Sequence, residues 1–138
     1  MSDLLELAER CEKAAGPDRE LDCLIDFALG IRFMPNDHAT FAREMLTVDN
    51  WTEDWGEERS EMRADVWKIE HYTASLDAAM TLVPEGCFFS VATHPEGSFA
   101  IVANALVSAK SELKIATPAL ALCAAALRAR IKDNPERG

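Results

Sequence analysis

The chain has 138 residues, 49% hydrophobic and 28% charged, which fits one globular domain able to bury a core without disulfides or metal. Its 24 acidic and 14 basic side chains give a formal charge of -10. No apolar run approaches the roughly 20 residues of a membrane span, and no basic-then-apolar leader opens the chain. Disordered, membrane-spanning and secreted classes are set aside, and a cytoplasmic location is expected.

Residues 3 to 15 place Leu4, Leu5, Leu7, Ala8 and Cys11 on one stripe, with Asp3, Glu6, Glu9 and Glu12 opposite, the period of an amphipathic helix. Gly16-Pro17 stops it, and Pro17 suits the first position of a second helix, where a missing N–H leaves nothing unpaired. That helix turns Leu21, Leu24, Ile25, Ala28 and Leu29 inward and ends at Gly30. Met34 to Asp37 read as a turn and His38 to Leu46 as a short helix. Residues 64 to 71 carry Val66, Trp67 and Ile69 without a clean period and read as a short strand or an extended approach.

Ser75 is placed to cap a helix with Asp77 in its first turn and Leu76, Ala79, Met80 and Val83 as its stripe; Pro84-Glu85-Gly86 ends it. Cys87 to Thr93 and Ser98 to Val107 are apolar, partly β-branched runs around His94-Pro95-Glu96-Gly97, and predict an antiparallel hairpin. Thr117-Pro118 then starts a long helix lined by Leu120, Leu122, Cys123, Ala126, Leu127 and Ile131, whose alanines suit close packing. Arg128, Arg130 and Lys132 fall in its last turns, where cations complement the helix dipole. The order gives an α+β fold, helices packed on a small antiparallel sheet in an α/β/α layered sandwich, as one domain over residues 1–138. Two strands are marginal, so a third is expected from 64–71 or 45–52, or the sheet is completed by a second subunit.

The charge is uneven. Residues 1–30 hold 8 acidic and 3 basic groups, residues 31–70 hold 10 and 5, and residues 71–138 hold 6 and 6. An acidic first half disfavours direct binding to nucleic acid or an anionic membrane and favours a basic partner. Within Thr47 to Glu61, Asp49, Glu53, Asp54, Glu57 and Glu58 surround Trp51 and Trp55. These tryptophans either plug into the core, the commoner fate, or mark a contact surface. In the second case the seven residues form a partner-binding set suited to a basic protein groove.

No chemical mechanism emerges from the remaining motifs. Cys11, Cys23, Cys87 and Cys123 show no C-x-x-C pair, and three of the four read as buried small hydrophobes, with Cys23 off the apolar face of its helix. His38, His71 and His94 have no ligand at helical spacing, so no metal or other cofactor is expected. His71, Ser75 and Asp77 lie close in sequence, but a helix cap accounts for the last two, and no G-x-S-x-G elbow surrounds the serine. An enzyme is not expected.

The stretches GPDRELD at 16–22, YTASLDAAMTLVPEG at 72–86 and TPALALCAAALRAR at 117–130 together resemble the small bacteriophage proteins grouped as the phage ABA sandwich domain. The resemblance covers residues 16–30 and 71–132 and implies the same helix and sheet layering, a phage or prophage origin and a bacterial host cytoplasm. It implies no activity and carries over no catalytic residue. Two departures stand out: an acidic inserted segment at about 31–66, and Cys87-Phe88-Phe89 in place of a tryptophan-bearing strand start. The functional expectation is a phage accessory protein that inhibits or modulates a basic host or phage protein by protein–protein contact. The alternative is a small-ligand or nucleotide sequestering module, formed at a subunit interface if the chain is a homo-oligomer.

Overall fold

The computed structural model describes residues 3–29 and 68–133. Two helices open the chain, α1 (Asp3–Lys13) and α2 (Arg19–Ala28). In α1, Leu7, Ala8 and Cys11 are buried, while Leu5, expected on the same stripe, is 40% exposed. Asp18 caps α2 and Arg19, not Pro17, is its first residue: the Asp18 backbone is extended and its carboxylate accepts from Leu21 N–H at 3.2 Å. A side chain that satisfies an orphan donor outcompetes a proline that merely tolerates one, so Pro17 falls one position before the cap.

The inward face of α2 also differs from the apolar stripe. Leu21 and Ile25 are buried as expected, but so are Asp22, Cys23, Asp26 and Phe27, whereas Ala28 is exposed and Leu29 half-buried. Segment 69–73 packs on the flank that the periodicity assigns to solvent, and its hydrogen bonds make a buried aspartate tolerable there.

Helix α3 (Leu76–Met80) is a single turn capped by Ser75, whose hydroxyl accepts from Ala78 N–H at 3.2 Å. Of the expected stripe Ala79 is fully buried and Val83 partly so, but Leu76 and Met80 are about 40% exposed, and Ala78 and Leu82 face the core in their place. The cause is the tightening after Met80, where Thr81, Leu82 and Val83 N–H groups bond three residues back and rotate the chain.

The hairpin is present as β1 (Phe88–His94) and β2 (Gly97–Ala103), in unbroken antiparallel register from Phe88↔Ala103 to His94↔Gly97. The second run ends earlier than its composition implies. Asn104 Oδ1 accepts from Leu106 and Val107 N–H, both at 2.8 Å, and this side-chain turn sends the chain back as β3 (Ser108–Lys110). β3 is the third strand. Of the two stretches expected to supply it, 45–52 lies outside the described residues, as do 64–67, and 68–71 form a turn and loop. Beyond β3, Ser111 Oγ accepts from Ala100 N–H, and Ile115 exchanges two backbone bonds with Ser98, so the return segment follows β2 almost to its start.

Helix α4 (Pro118–Asp133) is the centre of the molecule. Thr117 Oγ1 accepts from Leu120 N–H at 3.1 Å, the cap-plus-proline start read from sequence. Every residue from Leu120 to Leu127 is fully buried. α4 packs on all three strands, on α1 and on α3, while α2 packs on α1. Alanines make this possible, because a helix touched on several sides must let backbones approach closely. The fold is α+β, four described helices with a three-stranded antiparallel sheet in the order β1-β2-β3. Of a layered sandwich, the described residues supply the sheet and the helical side that α4 anchors.

The cations at the end of α4 do more than complement its dipole. Arg128 bonds Glu12 of α1 through Nε at 3.1 Å and Nη2 at 2.7 Å. Arg130 Nε donates to Leu82 O at 2.7 Å, and Lys132 Nζ to Ser108 O at 2.6 Å. Each ties the helix to a different element.

Candidate functional site

The predicted partner-binding set, Asp49, Trp51, Glu53, Asp54, Trp55, Glu57 and Glu58, lies outside the described residues, together with the rest of the acidic segment at 31–66. What the described residues establish is how the acids preceding it are used. On α1, Glu12 is held by Arg128 and also accepts from Glu112 N–H at 2.9 Å. Glu20 pairs with Arg10 at 3.4 Å. Glu6 and Glu9 are exposed.

The three aspartates of the α2 region bind segment 69–73. Thr73 donates to Asp22 Oδ1 through both its backbone N–H and its hydroxyl, each at 2.8 Å, and its hydroxyl accepts from Asp18 N–H at 2.8 Å. Arg19 Nη1 donates to Asp22 Oδ2 at 3.1 Å, and the same guanidinium holds the carbonyls of Ile69 and Glu70. Tyr72 OH lies 3.5 Å from Asp26 Oδ2. Asp22 is 1% exposed, and burial raises its carboxyl above the ordinary value despite the opposing effect of Thr73 and Arg19. This is a structural clasp joining two parts of the chain some fifty residues apart. Sequence reasoning missed it because Asp22 falls off the apolar stripe of α2 and Thr73 lies in no periodic element.

The thiols are mostly interior. Cys11, Cys23 and Cys123 are fully buried and Cys87 is half-buried, so the exception to burial is Cys87 and not Cys23. Burial pushes the Cys23 thiol up to about 12. Cys123 is raised by its hydrogen bond with Cys11 and by burial, and its Sγ donates to Tyr72 O at 3.2 Å. Neutral thiols in apolar surroundings make poor nucleophiles.

His71, Ser75 and Asp77 do share a shallow depression of about 430 Å³ with Glu70 and Thr81. The hydroxyl of Ser75 is occupied as the α3 cap, and His71 contributes its carbonyl, which accepts from Ala74 and Ser75 N–H. Among the described hydrogen bonds none joins the His71 ring to Ser75 or Asp77, so the nucleophile–base contact of a triad is not formed. A second depression of about 350 Å³ is lined by Leu5, Lys110, Arg128, Ile131 and Lys132. Two of its three cations are engaged, by Glu12 and Ser108. Among the described residues no group of three or more His, Cys, Asp or Glu side chains could hold a metal ion, and no helix is long and apolar enough to cross a membrane.

Compared with known proteins, the chain matches no family model, no curated protein and no solved structure.

Proposed function

We propose that the protein acts by protein–protein contact, as an accessory protein that occupies and modulates a basic partner through the acidic segment at 31–66. Asp49, Glu53, Asp54, Glu57 and Glu58 supply the charge and Trp51 and Trp55 the anchors. One observation carries the reading. Of the eight acids that precede the segment, four are engaged inside the fold, Glu12 by Arg128, Glu20 by Arg10, Asp18 as a cap and Asp22 by Thr73 and Arg19. Residues 31–66 still hold 9 acidic against 4 basic side chains, with two tryptophans among them. An acidic excess set beside aromatic side chains is the composition of an electrostatically steered contact.

A basic groove shaped for nucleic acid is the partner chemistry that fits, since an acidic segment reproduces the sign of a phosphate backbone. The resemblance to small phage proteins supports a bacterial host cytoplasm as the setting, with a host or defence protein as the target. Affinity capture of the tagged protein from a bacterial lysate at low and at high salt tests this. Recovery of a basic, nucleic-acid-handling protein that is lost at high salt is the expected result, because ions screen surface charge. A partner retained equally at both salts, or an acidic one, overturns it.

A further inference from the structure

The sheet has two edges that differ in kind. β3 is three residues long, ends in Lys110, and has the carbonyl of Ser108 covered by Lys132 Nζ. Shortness and lysine are the usual guards of an edge strand. β1 has none of these. Its sequence from Phe88 to His94 contains no lysine, proline, glycine or acidic residue, and it runs seven residues in register without a bulge.

The pairing pattern fixes which of its groups are open. Asn104 and Ala100 bond toward β3 and its continuation, so alternation turns Phe99, Ile101 and Ala103 toward β1. Their partners Ala92, Ser90 and Phe88 point back, which leaves the N–H and C=O groups of Phe89, Val91 and Thr93 on the outer edge. No described residue pairs with them. Side chains along this strand are also thinly covered. Phe88 is 70% exposed on the outer face. Phe89 and Val91, on the helix side, are half-buried, because α4 lies chiefly over β2 and β3.

From this we infer that β1 is a docking edge for a second copy of the chain, paired antiparallel about a two-fold axis through Val91. Phe89, Val91 and Thr93 are evenly spaced, so that register places Val91 opposite Val91 and Phe89 opposite Thr93 of the other copy. All three open N–H and all three open C=O groups of each strand are then bonded in one six-stranded sheet. The half-buried Phe89 and Val91 of both copies meet on the helix side, an isologous contact in which one patch serves both partners. Charge favours the same place: in a chain of formal charge -10, β1 is a stretch free of acid where two copies approach without local repulsion. A strand-to-strand contact falls at the small end of specific interfaces, below about 1,200 Å² in total, so the pair forms and dissociates with concentration.

Sedimentation equilibrium of the full chain over a concentration series, at low and at roughly 0.5 M salt, tests this. The mass is expected to climb from 15.2 kDa toward twice that value with concentration. Salt shifts the transition to lower concentration, because screening relieves repulsion between two acidic bodies. It weakens the acidic partner contact instead, so the two proposals fail separately. Thr93→Pro and Val91→Pro each remove an N–H that faces outward and leave the β1–β2 bonds in place. Either folded variant is expected to stay at the single-chain mass throughout, with the far-ultraviolet circular dichroism of the wild type. If one of them does not fold, the other carries the test. A wild type that remains single at every concentration, pairing that survives the proline, or open-ended assembly overturns the inference.

Discussion

Asp22 shows how a residue that looks solvated can hold a fold together. It sits on the flank of α2 that periodicity assigns to water, yet it is buried and holds three donors from Thr73 and Arg19. Burial raises its pKa, so the folded state holds the proton more tightly than the unfolded chain. The stability that goes with this proton is present below the unfolded value and is lost as pH rises through the folded one. The unfolding free energy of the wild type, relative to Asp22→Asn, should therefore shift against the wild type as pH rises from about 4. A difference that does not change with pH in that range contradicts the assignment. The thiols give a second check. Cys11, Cys23 and Cys123 are buried while Cys87 is half-buried, so a thiol reagent should titrate one cysteine in the native protein and all four after denaturation. Two or more fast thiols would contradict the packing of α1 against α4 and of α2 against α1. Cys11 and Cys123 were legible as core from their apolar stripes. Cys23 was not, because it lies off the apolar stripe of its helix and yet is fully buried.

The helices and the hairpin follow from local chemistry wherever a cap or a turn residue fixes them. Ser75 and Thr117 cap α3 and α4 as their spacing implies, and His94 to Gly97 turns the hairpin. Boundaries moved where two local devices competed, as Asp18 did with Pro17, and β3 was missed because a run of mixed small and apolar residues hides the turn at Asn104. Gly97 is the position where the hairpin depends on glycine. Its φ is +146°, and a Cβ there would stand 2.3 Å from Lys114 Cα, on the backbone of the segment that returns along β2. Gly97→Ala should therefore cost well beyond the roughly 0.5 kcal/mol of an ordinary surface change, since backbone must move and the Ser98–Ile115 bridge is adjacent. Thermal unfolding of this variant beside Gly16→Ala, where a Cβ meets nothing within 4 Å, separates the close approach from any general effect of losing glycine. Equal midpoints for the two would refute the explanation.

Taken together, the elements show one use of the molecule's charge, beside the second that we propose. Acids on α1 and α2 clasp α4 and segment 69–73, and those at 49–58 are the ones we propose meet a partner. The α+β class was legible because helix stripes, caps and a hairpin turn are all local signals. The candidate contact was legible only as composition, since charge and aromatic content reveal that a segment can bind without revealing its conformation or its target. Such a division predicts that binding and folding respond to different acids. The decisive comparison is the affinity for the captured partner of the wild type and of a variant carrying Asp49→Asn, Glu53→Gln, Asp54→Asn, Glu57→Gln and Glu58→Gln. Binding at low salt should weaken about tenfold or more while the thermal midpoint stays where it was. Unchanged affinity in a folded variant would contradict the proposed role of the acidic segment.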